Sequence, residues 1–279
     1  MRRAAFIAVA LAWGVAAADE APPPERDQQV FTFSAPIDIP LFLGLSTLWI
    51  LPTVVTSPTA ASSVCNPCDP SQLNAFDRYF LGPHDSTFRW IANGSYVIPI
   101  AGFLLLDVLD VGASKWQVWG TDFFVGAELL AMDGIIAEFF RRAMHRPRPY
   151  FYLDSSVYPT ERVGGEPTFS FFSGHTSGMM SLAASIPYAW SLRHPESKWR
   201  IPIMLGMLLV SLINPISRVI SGDHFASDVT VGAIVGTSVG FTYPWFRHWL
   251  KKRDSALSRM ALVPSSTDGG GTLSLAGTF

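Results

Sequence analysis

Six runs of apolar residues, separated by short polar segments, organise the middle of the chain: Ile39–Val55, Ile91–Leu106, Phe123–Phe140, Ser177–Leu192, Ile201–Ile216 and Val229–Trp245. Each approaches the roughly 20 residues that cross a bilayer as a helix. All are too long for strands and none alternates with period two. The pattern predicts an all-α fold, a helical bundle with five or six membrane-spanning helices, and shows no internal repeat. The third run carries Glu128, Asp133 and Glu138. Acids inside a membrane face the bundle interior and find partners there. Glu138 is within one helical turn of Arg141 and Arg142.

Composition strengthens the membrane reading. Charged residues are 15% of the 279-residue chain and hydrophobic residues 49%, against about 25% charged in ordinary soluble domains. A net charge of -2, with no basic run interleaved with aromatics, excludes nucleic acid as a partner. Because several runs fall short of a full span, a soluble periplasmic helical bundle stands as the alternative.

The ends of the chain read differently. Arg2 and Arg3, the apolar stretch Ala4–Ala18 and the small residues Ala16-Ala17-Ala18 form an export signal, expected to be cleaved, with an uncleaved anchor helix as the alternative. A Pro-rich linker follows at Pro22-Pro23-Pro24. The chain then divides into an N-terminal segment (19–90) with one apolar helix and a Cys65-Asn66-Pro67-Cys68 loop, a catalytic helical domain (91–250) and a tail (251–279). A CxxC pair serves redox chemistry, half of a zinc site or a disulfide. Without a second pair or a βαβ pattern, a structural disulfide between Cys65 and Cys68 is expected. The tail contains Gly269-Gly270-Gly271 and reads as flexible, with a hairpin strand as the alternative.

Charge suggests an orientation. The segment 193–200 and the tail residues Arg247, Lys251, Lys252 and Arg253 are basic and expected on the cytoplasmic side. The intervening loops, and Cys65 with them, then face the periplasm across the bacterial inner membrane. A cleaved signal is compatible with this only if Ile39–Val55, which contains Pro40 and Pro52, does not cross.

Three clusters carry chemistry. The first is Arg141-Arg142-Ala143-Met144-His145-Arg146-Pro147-Arg148-Pro149. The second is Phe172-Ser173-Gly174-His175. The third is Ser217-Arg218, then His224, then Asp228. Metal-independent phosphoryl transfer needs a nucleophile, a proton donor and fixed positive charge around the phosphate. Arg141, Arg148 and Arg218 supply that charge through planar, permanently ionised donors. Asp228, four residues after His224, shares its face if both are helical, and a carboxylate there would fix the imidazole tautomer and free the other nitrogen for attack. His175 would protonate the leaving oxygen. Ser173 and Gly174 open an apolar helix whose first N–H groups form an anion site. His84, His145, His194 and His248 have no such neighbours in sequence and are expected to be structural or solvated.

Together these clusters resemble the three-part signature of the type 2 phosphatidic acid phosphatase family, which is related to bacterial class A acid phosphatases and vanadium haloperoxidases. The signature runs Lys, six residues, Arg-Pro; then Pro-Ser-Gly-His; then Ser-Arg, five residues, His, three residues, Asp. The third part matches fully from Ser217 to Asp228. The second has Phe172 for proline, and the first has Arg141 for lysine. The resemblance covers about Phe123 to Trp245. It implies that His224 forms a phosphohistidine, that Asp228 orients it and that His175 is the general acid. It also implies that Arg141, Arg148, Ser173, Gly174 and Arg218 bind phosphate, with no cofactor and no metal.

The expected activity is hydrolysis of a phosphomonoester or diphosphate, of a lipid in view of the membrane pattern. A vanadium-dependent haloperoxidase, a soluble non-specific acid phosphatase and a non-catalytic membrane scaffold are the competing readings. Vanadate separates the first two enzymes, because it inhibits a phosphatase and enables bromide oxidation by a haloperoxidase.

Overall fold

A computed structural model describes residues 28–55, 65, 67–82, 85–153, 168–258, 260–267 and 270–277. The expected signal at 1–18 and His84 lie outside these residues. The helices are α1 (Ala35–Val55), α2 (Ala75–Tyr79), α3 (Ser86–Gly94), α4 (Val97–Phe103), α5 (Trp116–Met144), α6 (Gly174–Arg193), α7 (Arg200–Ser211), α8 (Ile213–Ile220) and α9 (Ala226–Ser258). The all-α expectation holds for the body of the chain. The tail departs from it: Met260–Thr267 and Gly270–Gly277 form an antiparallel two-stranded hairpin, β1 and β2, where a flexible segment was expected.

Among the described residues, three helical stretches are long and apolar enough to cross a membrane: Ala35–Val55, Ser86–Leu109 and Arg200–Ile220. Their outer faces carry bare apolar side chains such as Leu43, Val54, Leu105, Leu109, Ile201 and Leu209. An apolar belt of that extent is what a lipid-facing surface requires. The longer α5, α6 and α9 form the centre of the bundle. Val125, Leu129, Ala189, Val239 and Tyr243 from these helices pack with Val30 and Phe31.

The α6–α9 seam sets the site. On α9, Gly232, Gly236 and Gly240 recur every fourth residue, so they share one face. A Cβ at these positions would lie 2.7, 2.1 and 2.4 Å from the carbonyl oxygens of Ser173, Ser177 and Ser181 on α6. Glycine is required because the two backbones touch. That contact fixes the start of α6 against the start of α9, where Ser173 N–H donates to the Asp228 carbonyl at 3.2 Å.

The opposite end of the bundle is held by buried charge. Arg193, the last residue of α6, pairs with both Asp107 and Asp122. Arg247 pairs with Glu128, and with Asp38 at 3.0 Å. Glu128, Asp133 and Glu138 are all buried and all partnered, by Arg247, Ser177 and the Arg141/Arg142 pair. His175 and Arg193 stand at opposite ends of α6, roughly 27 Å apart at the rise of an α-helix.

Helix α1 corrects an expectation. Its first turn meets Arg247 through Asp38, and its last turn meets Arg142, whose Nη2 donates to the Pro52 carbonyl at 2.8 Å. The 21-residue helix therefore runs the height of the bundle beside α5 and does not lie across its end. Pro40 and Pro52 lie inside the helix and do not break it into a short, non-crossing helix, although each removes one backbone donor.

Candidate active site

Five backbone segments converge at one end of the bundle: the C-terminus of α5, the 146–153 segment, the start of α6, the end of α8 with the turn after it, and the start of α9. His145 ends α5 in the left-handed conformation (φ 44°), and its N–H bonds back to the Arg141 carbonyl at 3.3 Å. That turn throws the chain sideways, so Arg141 stays on the helix while Arg146 and Arg148 enter the site from a loop. Ser173 caps α6, its side chain accepting from Thr176 N–H at 3.4 Å.

A cavity of about 460 Å³ opens here, lined by Arg141, Gly174, His175, Asn93, Tyr96 and Asp133 among others. Arg218 is buried and donates to the cavity-lining Asn93 at 2.6 Å and to Asp223 at 3.2 Å, while its Nε is a buried donor without a hydrogen-bond partner among the described residues. Arg148 donates to the Asp223 carbonyl at 3.0 Å. Arg141 is paired with Glu138. The three arginines are thus positioned by neighbouring acceptors before any ligand arrives, which is the condition for electrostatic stabilisation without reorganisation.

His224 is 4% exposed. Its Nδ1 lies 2.8 Å from the Ser170 carbonyl. A carbonyl only accepts, so Nδ1 carries the proton and the Nε2 lone pair is free in the neutral ring. Burial depresses the His224 pKa below the ordinary imidazole value. Asp228 opposes that shift, and Arg148 and Arg218 add to it.

Asp228 does not accept a hydrogen bond from His224: the carboxylate stands 3.8 Å from Nδ1. Helix α9 starts at Ala226, so His224 precedes it and the four-residue facing rule does not apply. Asp228 instead accepts from Arg146 (2.5 Å), the Ser170 hydroxyl (2.5 Å) and Phe225 N–H (3.0 Å). It holds in place the segment whose carbonyl orients the histidine.

His175 opens onto the cavity, and its carbonyl accepts from Tyr96 Oη at 2.8 Å. It lies outside the apolar run 177–192. The surrounding protein, then Arg218, His224, Arg148 and Arg141, hold its pKa well below the usual value. That mutual influence places five of the expected site residues within one electrostatic neighbourhood. Cys65 and Cys68 form a disulfide, and Cys68 N–H donates to the Phe151 carbonyl at 2.8 Å, tying the loop to the 149–152 turn.

Several contributors were missed in sequence. Arg146 bridges Asp228 and Asp77, the latter at 2.6 Å. Asp77 also accepts from Ser227 N–H and Oγ. Asp223 joins Arg89 and Arg218. Its carboxyl is held below the usual range: burial pushes it up, but the bond and charge of Arg89 and the charge of Arg148 outweigh that. Asp223 adjoins His224 in the chain, and Arg146 sits inside the first cluster, so both were visible. Arg146's acids lie 69 and 82 positions away and Asp223's partner Arg89 lies 134 away, so their roles were not. His194 likewise has a distant carboxylate partner, Asp110 at 2.7 Å, and His248 faces the Val30 carbonyl at 2.8 Å.

Comparison with known proteins gives the same region. Residues 125–252 match a model of the PAP2 superfamily. A lipid A 1-phosphatase of Rhizobium johnstonii is 24% identical over 200 residues, covering 70% of this chain and 75% of that protein. A lipid A 4'-phosphatase of Porphyromonas gingivalis is 31% identical over 126 residues, 43% of this chain and 50% of that one. A crystal structure of a transmembrane PAP2 type phosphatidylglycerolphosphate phosphatase from Bacillus subtilis aligns with a TM-score of 0.46 at 21% identity, over 77% of this chain and 98% of that one.

Proposed function

Because residues 125–252 belong to the PAP2 superfamily, we propose that this chain is a metal-independent lipid phosphatase working through a phosphohistidine. The observation that carries the reading is the His224 ring, with its proton tied to the Ser170 carbonyl and the charges of Arg148 and Arg218 acting on it. Nε2 attacks phosphorus and the bond to the leaving oxygen breaks as His175 protonates that oxygen. Water then attacks phosphorus as His175 takes its proton, the phosphorus–nitrogen bond breaks, and phosphate departs with His224 restored. The surrounding protein, and after it the arginines, keep His175 deprotonated in the empty site. The phosphate's negative charge offsets them, so the proton donor forms when substrate is bound.

A lipid substrate is supported by a second, apolar cavity of about 340 Å³. Tyr96 and Leu130 line both cavities, so an apolar chamber adjoins the polar one. The names of the Rhizobium and Porphyromonas relatives point the same way.

Two expected results test this reading. Activity should survive excess EDTA, because three arginines supply the charge a metal would bring; loss restored by Mg²⁺ would sink the mechanism. The orientation is checked by labelling. The site and the Lys251–Arg253 end stand at opposite ends of the bundle, and positive charge favours the cytoplasm for the latter. With α1 running the bundle's height, this requires residue 28 to begin on the cytoplasmic side, which a cleaved export signal contradicts. A cysteine at Ser155, in a chain lacking Cys65 and Cys68, should react with an impermeant maleimide in intact spheroplasts. Labelling only after the inner membrane is broken would put the site on the cytoplasmic face.

A further inference from the structure

The polar cavity of about 460 Å³ is lined by the site residues Arg141, Gly174 and His175. Asp133 and Trp49 also line it, and neither suits an anion. Asp133 is buried. Its Oδ1 accepts from Ser177 Oγ at 2.6 Å, while Oδ2 is bonded to no described residue and is open to the cavity. A carboxyl oxygen repels a phosphate oxygen and accepts from a hydroxyl.

Trp49 comes from α1, outside the matched superfamily region. The flanking Leu48 and Ile50 are 62% and 50% exposed, so this turn of α1 faces lipid except at the indole. The ring lies across Gly134 of α5: a Cβ there would sit 2.3–2.6 Å from three indole atoms. Glycine makes the notch that admits the ring. The bond from Arg142 to the Pro52 carbonyl pins the same end of α1 one residue from Arg141.

On the phosphatase reading above, we propose that Trp49 and Asp133 form a leaving-group subsite for a hydroxylated ring, so that the preferred substrate is a lipid whose phosphate is carried by a sugar and not by glycerol. A pyranose presents a rigid C–H face and a rim of hydroxyls. The face buries apolar surface against the indole, and a rim hydroxyl donates to Asp133 Oδ2. A diacylglycerol leaving group has neither the flat face nor the free hydroxyls.

The test compares kcat/KM for phosphate release from an acylated glucosamine 1-phosphate and from phosphatidate of equal acyl length, using the full chain in detergent. Wild type should prefer the sugar lipid. Trp49→Ala and Asp133→Asn should each lower the sugar-to-glycerol ratio by about tenfold, the scale of one lost directional contact, and Trp49→Tyr should keep most of it. The ratio is taken within one preparation, so partial unfolding cancels. A wild-type preference for phosphatidate, or equal losses on both substrates, overturns the subsite and leaves the phosphatase reading standing. Release from neither substrate overturns both.

Discussion

His224→Ala should abolish turnover while leaving the fold intact. The residue supplies an unprotonated Nε2, because its proton is held on Nδ1 by the Ser170 carbonyl, and its loss removes the covalent step. The expected drop in kcat is roughly 10⁴-fold or more, the scale seen when a nucleophile is deleted from a preorganised site. The fold should survive because the α6–α9 seam is made by Gly232, Gly236 and Gly240 against Ser173, Ser177 and Ser181, and not by the histidine. Rapid quench in alkaline detergent with ³²P-labelled lipid should trap base-stable, acid-labile label on the wild type and none on the variant. More than a few per cent of residual activity would remove His224 from the nucleophile's place. The depressed pKa adds a pH signature. The neutral ring is the reactive form, so the acid limb of kcat/KM, which reports the free enzyme, should fall below the ordinary imidazole range near 6.5.

Arg146→Met should have the largest effect on stability. Its guanidinium joins two fully buried carboxylates, Asp228 at 2.5 Å and Asp77 at 2.6 Å, and lies 4.2 Å over the Phe225 ring. Removing the cation leaves both acids buried without their partner, a loss of about 3–5 kcal/mol. Asp228 would then let go of the Ser170 segment, and the His224 tautomer with it, so activity should fall alongside stability. Thermal unfolding in detergent, followed by tryptophan fluorescence, measures the first. Adding Asp77→Asn to Arg146→Met should recover part of the midpoint, because one of the two stranded charges is gone. An unchanged midpoint in Arg146→Met would show that the bridge carries no net stability.

Much of the helical body could be read along the chain. The six apolar runs correspond to α1, α3 with α4 and the Leu104–Leu109 turn, α5, α6, α7 with α8, and α9. Their lengths and lack of period-two alternation leave no other regular structure. The Ser173-Gly174-His175 cap and the Ser217–Asp228 spacing were equally plain, since each is local chemistry at a helix end. The glycine stripe of α9 and the serine stripe of α6 were also in the sequence. They are legible only as a pair, because small residues four apart say that something approaches closely and not what.

Spacing along the chain assigned the residue types, and tertiary structure assigned their partners. Four-residue periodicity suggested Asp228 as the group that orients His224. The helix begins two residues after His224, so the orienting acceptor is instead Ser170, brought from 54 positions away. Periodicity also left Arg146, Asp77 and Asp223 unremarked, because a buried charge is defined by what surrounds it, and its neighbours here lie up to 150 residues apart. The height of α1 followed the same rule. Two prolines in an apolar run look like a break, but where the helix goes depends on Asp38 meeting Arg247 and on Trp49 finding the notch at Gly134. Local propensity acts over one turn of helix, whereas ion pairs and close backbone approaches act between segments that only folding brings together.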